Sequence, residues 1–436
     1  MLKSLKRLKK INKRIKTTLE EDKWKLKANS FIRERKMNME DIIKSIIFKK
    51  GQTLSIELDE FTERMGKERI TKQGYSKQRQ NLNPEIFNYL NEEYIKDIYN
   101  EIEVKRYKGY ILISVDGSMI ELPNSNELKE YYGLAEGQKG SVGRVRARAI
   151  GVYDSLNKIM VKTKLDPYKT NEKEQIEKLL DEIIEFYKEE KIIMVFDRFY
   201  FGVNFINKLE KREIKYLIRM RENVYKKEKE LMKSEDEEVE LKIRTNSIHY
   251  AKEEEREELK KLKQIKARII KVQLDSGIEE HLCTNMNEEE MTKEEAKELY
   301  FTRWNIEKSF DVIKNKINIE NFSSKKVIGI EQEFYAQMMV YNMLEDIRRD
   351  AEEELEQNKK ELKYEYKINM NILAGKFKKE FLEIFEEEDM KELDKKYEKM
   401  IEEMRKNVIP IKPNRKFERR KMHSMNKYRS NLRRNV

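Results

Sequence analysis

Four residues at helical spacing combine an acid with groups suited to gripping phosphate: Tyr300, Arg303, Glu307 and Lys314, in YFTRWNIEKSFDVIKNK. At ~100° per residue they share one face, roughly 60° wide, over about four turns. Phe310 and Ile306 flank that face, and Asp311 stands on its other edge as a second acid. Two more acids sit where apolar runs end, Asp116 in SVDGS and Asp197 in VFDRF. Carboxylates are hard oxygen ligands. Three of them, converging from two strands and a helix, would hold Mg²⁺ or Mn²⁺, ions that keep waters and bind phosphate oxygens. Two such ions ~3.5–4 Å apart activate a water or a 3′-hydroxyl on one side and stabilise the leaving oxygen on the other. Arg303 and Lys314 would then hold flanking phosphates, and Tyr300 would hydrogen-bond or stack nearby. The plainer alternative is an Asp-Gly turn at Asp116, a helix cap at Asp197 and an internal Arg303–Glu307 ion pair worth roughly a few tenths of a kcal/mol.

The elements that must position these groups are legible in outline. YILISVDGSMIEL (110–122) is a β-rich apolar run interrupted by Asp-Gly, and VRARAIGVYDSLNKIMVKTKL (145–165) reads as two strands around a turn at Asp154–Asn157. A helix follows over 171–191. IIMVFD (192–197) is a short continuous apolar strand suited to the middle of a sheet. A helix over 201–213 and a strand over 214–220 complete a mixed sheet flanked by helices. Residues 222–290 are highly charged, with strand candidates EVELKIR, KARIIKVQLDSG and IEEHLCTNM, and read as a β-rich insertion. Thr292 and Glu295 form a capping box that opens the helix carrying Glu307. Upstream, Leu2, Leu5, Leu8, Ile11, Ile15 and Leu19 mark an amphipathic basic helix. ITKQGYSKQRQNLNPEIFNYL (70–90) is compatible with a helix-turn-helix element, and equally with a plain helical bundle. EQEFYAQMMVYNMLEDI (331–347) is strongly apolar and helical.

Composition limits the function classes. Of 436 residues 41% are charged, and only 14 Gly and 5 Pro occur, so helices should dominate. Residues 1–50 hold 17 Lys+Arg against 6 Asp+Glu, and residues 411–436 hold 10 against 1, in a chain whose whole net charge is +11. The middle is therefore mildly acidic, and the basic ends suit a polyanion, most often nucleic acid. No run approaches the ~18 apolar residues of a membrane span, and the basic N-terminus lacks the unbroken apolar core of a signal peptide. One cysteine, Cys283, excludes an internal disulfide framework and fits a reducing cytoplasm. Three histidines, His249, His281 and His423, are too few for a zinc site or a His-based nucleophile relay. There is no phosphate-binding GxxxxGK[ST] loop.

The spacing Tyr300-x₂-Arg303-x₃-Glu307-x₆-Lys314, with Trp304 after the arginine, resembles the YREK signature of DDE transposases of the insertion-sequence-four superfamily. Asp116-Gly117-Ser118 looks like that family's first catalytic aspartate, and Asp197-Arg198-Phe199-Tyr200-Phe201 like its second, with Phe199 in place of the usual glycine. The similarity covers about residues 70–345. It implies a ribonuclease-H-like mixed sheet with flanking helices, a β-rich insertion before the glutamate, and helical N- and C-terminal regions. Asp116, Asp197 and Glu307 would bind two Mg²⁺ or Mn²⁺ ions. Tyr300, Arg303, Trp304 and Lys314 would contact DNA, and Trp304 or Tyr300 would serve as the platform for a flipped base. The domain expectation is a basic DNA-binding region over 1–105, a catalytic core in two parts over 106–221 and 291–347 around an insertion over 222–290, and a helical C-terminal region with a basic tail over 348–436. The expected partners are the double-stranded DNA of terminal inverted repeats and target sites and a second copy of the chain, with no membrane; the expected location is the cytoplasm, at the nucleoid.

Overall fold

A computed structural model describes residues 2–33, 35–136, 143–245, 248, 251–273, 277–357 and 364–412. The basic tail lies outside the described residues from 413 onward, as do His249 and His423. Nine strands form one sheet: β1 (Tyr110–Glu121), β2 (Leu134–Ala135), β3 (Arg144–Asp154), β4 (Ile159–Pro167), β5 (Lys191–Phe196), β6 (Lys215–Arg219), β7 (Asp236–Lys242), β8 (Gln264–Gln273) and β9 (Glu279–Thr284). β3 pairs antiparallel with both β1 and β4, whereas β5 is parallel to β1 and β6 parallel to β5. The order β4-β3-β1-β5-β6 is the ribonuclease-H-like core. The expected insertion continues this sheet, with β9 antiparallel on β6, then β8, then β7 at the edge.

Side chains in β1 and β5 alternate between faces, as the two-residue strand period requires. Leu112, Ile193, Val195 and Leu217 join one apolar cluster with Ala296, Leu299 and Tyr300. Ile111, Ile113, Val115, Met194 and Phe196 belong to the main core. Asp116–Gly117 does not turn the chain. β1 runs straight through it, pairing Asp116 with Gly151 and Gly117 with Ile150. The turn reading of Asp-Gly fails because the ladder with β3 satisfies this backbone.

The helices of the two ends pack on one another. Lys3–Thr18 buries Leu5, Leu8, Ile11 and Ile15, and its Arg7 is fully buried, forking onto Asp346 at 2.8 and 2.7 Å. The basic first helix is thus part of the core, although Lys3, Lys6, Lys13 and Lys16 remain exposed. In the helix-turn-helix candidate, Gly74 lies inside the helix Lys72–Arg79 and makes no turn; a long helix, Glu85–Glu101, follows Pro84. The central support is the helix Val327–Gln357, which contacts the helices of both ends and β4. Five buried polar groups along it have partners elsewhere: Gln332 and Glu333 with Arg79, Asn342 with the backbone of Met160, Asp346 with Arg7 and Tyr94, and Asp350 with Ser4, whereas buried Glu345 pairs with Arg348 of the same helix. No helix of the described residues is long and apolar enough to cross a membrane.

Glu333 is the most tightly held of these groups. Burial alone would push its carboxyl up, but the Lys49 and Arg79 cations, with hydrogen bonds from Lys49 and Ser323, overcome burial and hold it at about 2. Because the folded pKa lies below the ordinary glutamate value, this stabilisation is complete above that value and is lost as pH falls toward about 2. Glu333→Gln leaves two buried cations without their counter-charge and should cost about 3–5 kcal/mol. Urea midpoints of wild type and variant should differ widely near neutral pH and draw together as pH approaches about 2.

Candidate active site

Two adjacent parallel strands set the first two acids. Ser114 of β1 lies opposite Val195 of β5, so positions 116 and 197 come level, two residues further on, on one face at the carboxyl end of the sheet. Asp197 does not cap the following helix, Val203–Glu210, whose N-cap Gly202 makes no side-chain bond. Its Oδ1 instead accepts the Phe199 amide at 2.7 Å, closing a tight turn just past β5. Opposite Asp116, Gly151 leaves room for the Phe310 ring; a Cβ there would stand 3.0 Å from it. Phe310 thereby seats the helix Trp304–Asn315 against β1 and β3.

The third acid comes from that helix. The capping box at Thr292 and Glu295 is formed, with the Glu295 amide donating to Thr292 Oγ1 at 3.2 Å and the Thr292 amide to Glu295 Oε2 at 2.8 Å. The single helix expected through the YFTRWNIEKSF stretch is two, Lys293–Thr302 and Trp304–Asn315, meeting at Arg303. Its amide bonds the Tyr300 carbonyl and its carbonyl takes the Ile306 amide, both at 3.2 Å, so the winding is tightened at the junction. Tyr300 then enters the apolar cluster against Val195 and Leu217, while Trp304 is 42% exposed. Arg303 is buried, with its charge 5.2 Å from the Trp304 ring centroid and 5.9 Å from that of Tyr300. The i, i+4 ion pair of the plain reading is present, Arg303 Nη2 to Glu307 Oε1 at 2.8 Å. Among the described residues Arg303 Nε is buried without a hydrogen-bond partner.

Electrostatics tie the three acids together. Burial chiefly, and then the Glu307 and Asp197 carboxylates, push Asp116 up to about 7 against the pull of Arg303. Tyr300 is raised by burial and stands within the field of Arg303 and Asp197. Lys314 is placed differently. Its Nζ donates to the Met119 carbonyl at 2.6 Å, and its charged neighbours are Glu320 and Arg146. Asp311 accepts from Asn315 at 2.6 Å on the helix surface.

Among the described residues no three His, Cys, Asp or Glu side chains lie close enough to hold a metal ion. The donor chemistry of Asp116, Asp197 and Glu307 is nonetheless all carboxylate, which suits a hard divalent cation. A cation beside Asp116 would also supply the charge that burial and two like charges now deny it. Cys283 is buried on β9, far up in pKa through burial, and takes no part.

Several neighbours escaped the sequence reading. β9 delivers Glu280, buried and raised by burial, within the field of Arg219, Arg198 and Arg303. Lys173 is lowered to about 8 by burial, with Arg221 adding to the effect and Asp197 opposing it. Glu172 lies behind β1, ion-paired to Arg148, its carboxyl pressed against Gly117. At the start of a helix after the cap Asn171, Glu172 looks like any first-turn acid, and nothing in its local sequence marks it out.

Residues 107–343 match the family model described as Transposase DDE domain, more than half the chain. The chain belongs to that family. No curated protein matches the sequence. A solved structure, a synaptic complex of piggyBac transposase with hairpin DNA, is similar at 9% identity and a TM-score of 0.42, covering 91% of this chain and 82% of that one. The matched segment of this transposase-family chain runs from just before β1 to within the central helix, and so spans all three acids.

Gly117 tests this packing. A Cβ at position 117 would stand 2.3 Å from the Glu172 carboxyl carbon. Glu172 can swing its carboxyl aside only by leaving Arg148, so Gly117→Ala should destabilise by about 1 kcal/mol or less, read from the urea midpoint. In a Glu172→Ala background the same Gly117→Ala change should cost almost nothing further; an equal cost there would show that the strain lies elsewhere.

Proposed function

We propose that this chain is a cut-and-paste DNA transposase of the insertion-sequence-four type, acting at the terminal inverted repeats of its own element. The reading rests on one observation: Asp116 on β1 lies level with Asp197 just past β5 and within the field of Asp197, Glu307 and Arg303, the last two from a later helix and its start. Asp116, Asp197 and Glu307 would hold Mg²⁺ or Mn²⁺, which when bound polarises phosphate oxygens and lowers the pKa of a water or 3′-hydroxyl. Arg303 is held rigidly by burial and by Glu307, so it can present positive charge to a phosphodiester with little reorganisation. Trp304 offers an exposed indole for stacking, and Tyr300, packed beneath, fixes the height of the arginine. Lys314, bonded to β1, anchors the helix end and lends charge to the adjoining strand of DNA.

In this reading the helical region 1–105 and the basic tail grip DNA, residues 106–221 and 291–347 carry the chemistry around the insertion 222–290, and two copies pair the element's ends. The working location is the nucleoid. The ion pair between Arg303 and Glu307 favours one second reading, a DNA-binding protein in which Glu307 serves structure and no strand is cut. A nuclease that cuts without joining completes the set.

Incubation of the full chain with end DNA and Mg²⁺ or Mn²⁺ separates the three. A transposase gives excised and joined products, a nuclease gives cuts alone, and a binder gives only a retarded complex. Asp116→Asn should abolish cleavage, with a fall of at least a thousandfold, and leave the affinity for DNA within about twofold. Cleavage by the variant would reject the carboxylate assignment. Affinity of the wild type should fall steeply between low and moderate salt, because phosphate contacts release counterions.

A further inference from the structure

Phe199, in the turn after β5, is held in an unusual way. The residue is 38% exposed although the loop around it is pinned by hydrogen bonds. The Phe199 amide bonds Asp197 at 2.7 Å, Arg221 donates to the carbonyls of Arg198 and Phe199 at 3.1 and 3.3 Å, and Lys173 donates to the Phe201 carbonyl at 3.0 Å. The buried Tyr200 ring stands edge-on to it at 5.8 Å. Two cations flank the ring, Lys173 Nζ at 5.7 Å and the Arg221 guanidinium at 5.8 Å from its centroid. Arg221 Nη1 makes no hydrogen bond among the described residues.

We propose that Phe199, with Arg221 and Lys173, is a nucleotide clamp that stacks an unpaired base of the DNA strand held at Asp197. An exposed aromatic ring beside cations is the pairing that binds single-stranded nucleic acid, the ring taking the base and the cations its phosphate. Pinning removes the ordering cost such a contact normally carries. The ring is two residues from Asp197, and its own amide holds that carboxylate, so a base stacked there adjoins the acids. A paired duplex end keeps its bases stacked on one another; a frayed or overhanging one frees a base to stack on protein. The clamp rests on the reading of this chain as one that processes DNA ends.

The test uses the full chain, a blunt 20-base-pair duplex, and the same duplex with a three-thymidine overhang, in fluorescence anisotropy. Wild type should bind the overhang roughly tenfold more tightly than the blunt end. Phe199→Leu should remove that advantage without changing affinity for the blunt duplex or the melting temperature, and Phe199→Tyr should keep it. A 2-aminopurine in the overhang should be quenched by wild type and by Phe199→Tyr, but not by Phe199→Leu. Equal binding of both duplexes by wild type, or an advantage retained by Phe199→Leu, would overturn the clamp and leave the transposase reading standing. Failure of the wild type to bind either duplex would sink both.

Discussion

One buried guanidinium organises the carboxyl end of this sheet. Asp116, Asp197 and Glu307 are like charges brought together by strands and a helix that are far apart in sequence, and like charges repel unless something opposes them. Arg303 is what opposes them here. It pairs with Glu307 at 2.8 Å and pulls against the upward shift of Asp116. Burial penalises the guanidinium too, and its charge survives because Tyr300, Asp116 and Glu307 surround it. Arg303 and Asp116 therefore favour one another's charged forms, and removing Arg303 would leave Asp116 with burial and two like charges unopposed.

This arrangement explains the joint between the two helices. A continuous α-helix would keep Tyr300 and Glu307 in one uniform setting. Tightening at Arg303 puts Tyr300 into the apolar layer over Val195 and Leu217, buries the arginine, and leaves Glu307 half-exposed and Trp304 at the surface. The insertion contributes from the other side. By extending the sheet through β9 it brings Glu280 to Arg219 of β6 and into the field of Arg198 and Arg303. An insertion that formed a separate lobe could not have done so.

Rigidity comes from further away. The helix Val327–Gln357 carries acids and amides at intervals along its buried side, and Glu333, Asn342, Asp346 and Asp350 each meet a partner from a different element. Unpaired, such groups would each be costly; paired, they fix one register of the end helices against the sheet. The Arg7–Asp346 fork draws the basic first helix into this core, so its apolar stripe serves packing while its exposed lysines stay available to solvent.

The amino-acid sequence by itself determined the elements and the type of chemistry. Alternation and apolar runs marked β1, β3, β4 and β5, β9 lay within its sequence segment while β7 and β8 each start two residues before theirs, and Thr292 with Glu295 announced a helix start. These signals are local, since periodicity and caps depend on neighbours within a turn or a strand. Only the tertiary structure decided that Asp116–Gly117 stays in its strand, because pairing with Gly151 and Ile150 supplies bonds that the dipeptide alone would seek in a turn. It also decided that the helix breaks at Arg303, that Lys314 turns to the Met119 carbonyl, and that Glu172 and Glu280 stand near the site. Each of these depends on contacts between residues distant along the chain, which helical spacing and strand alternation do not encode.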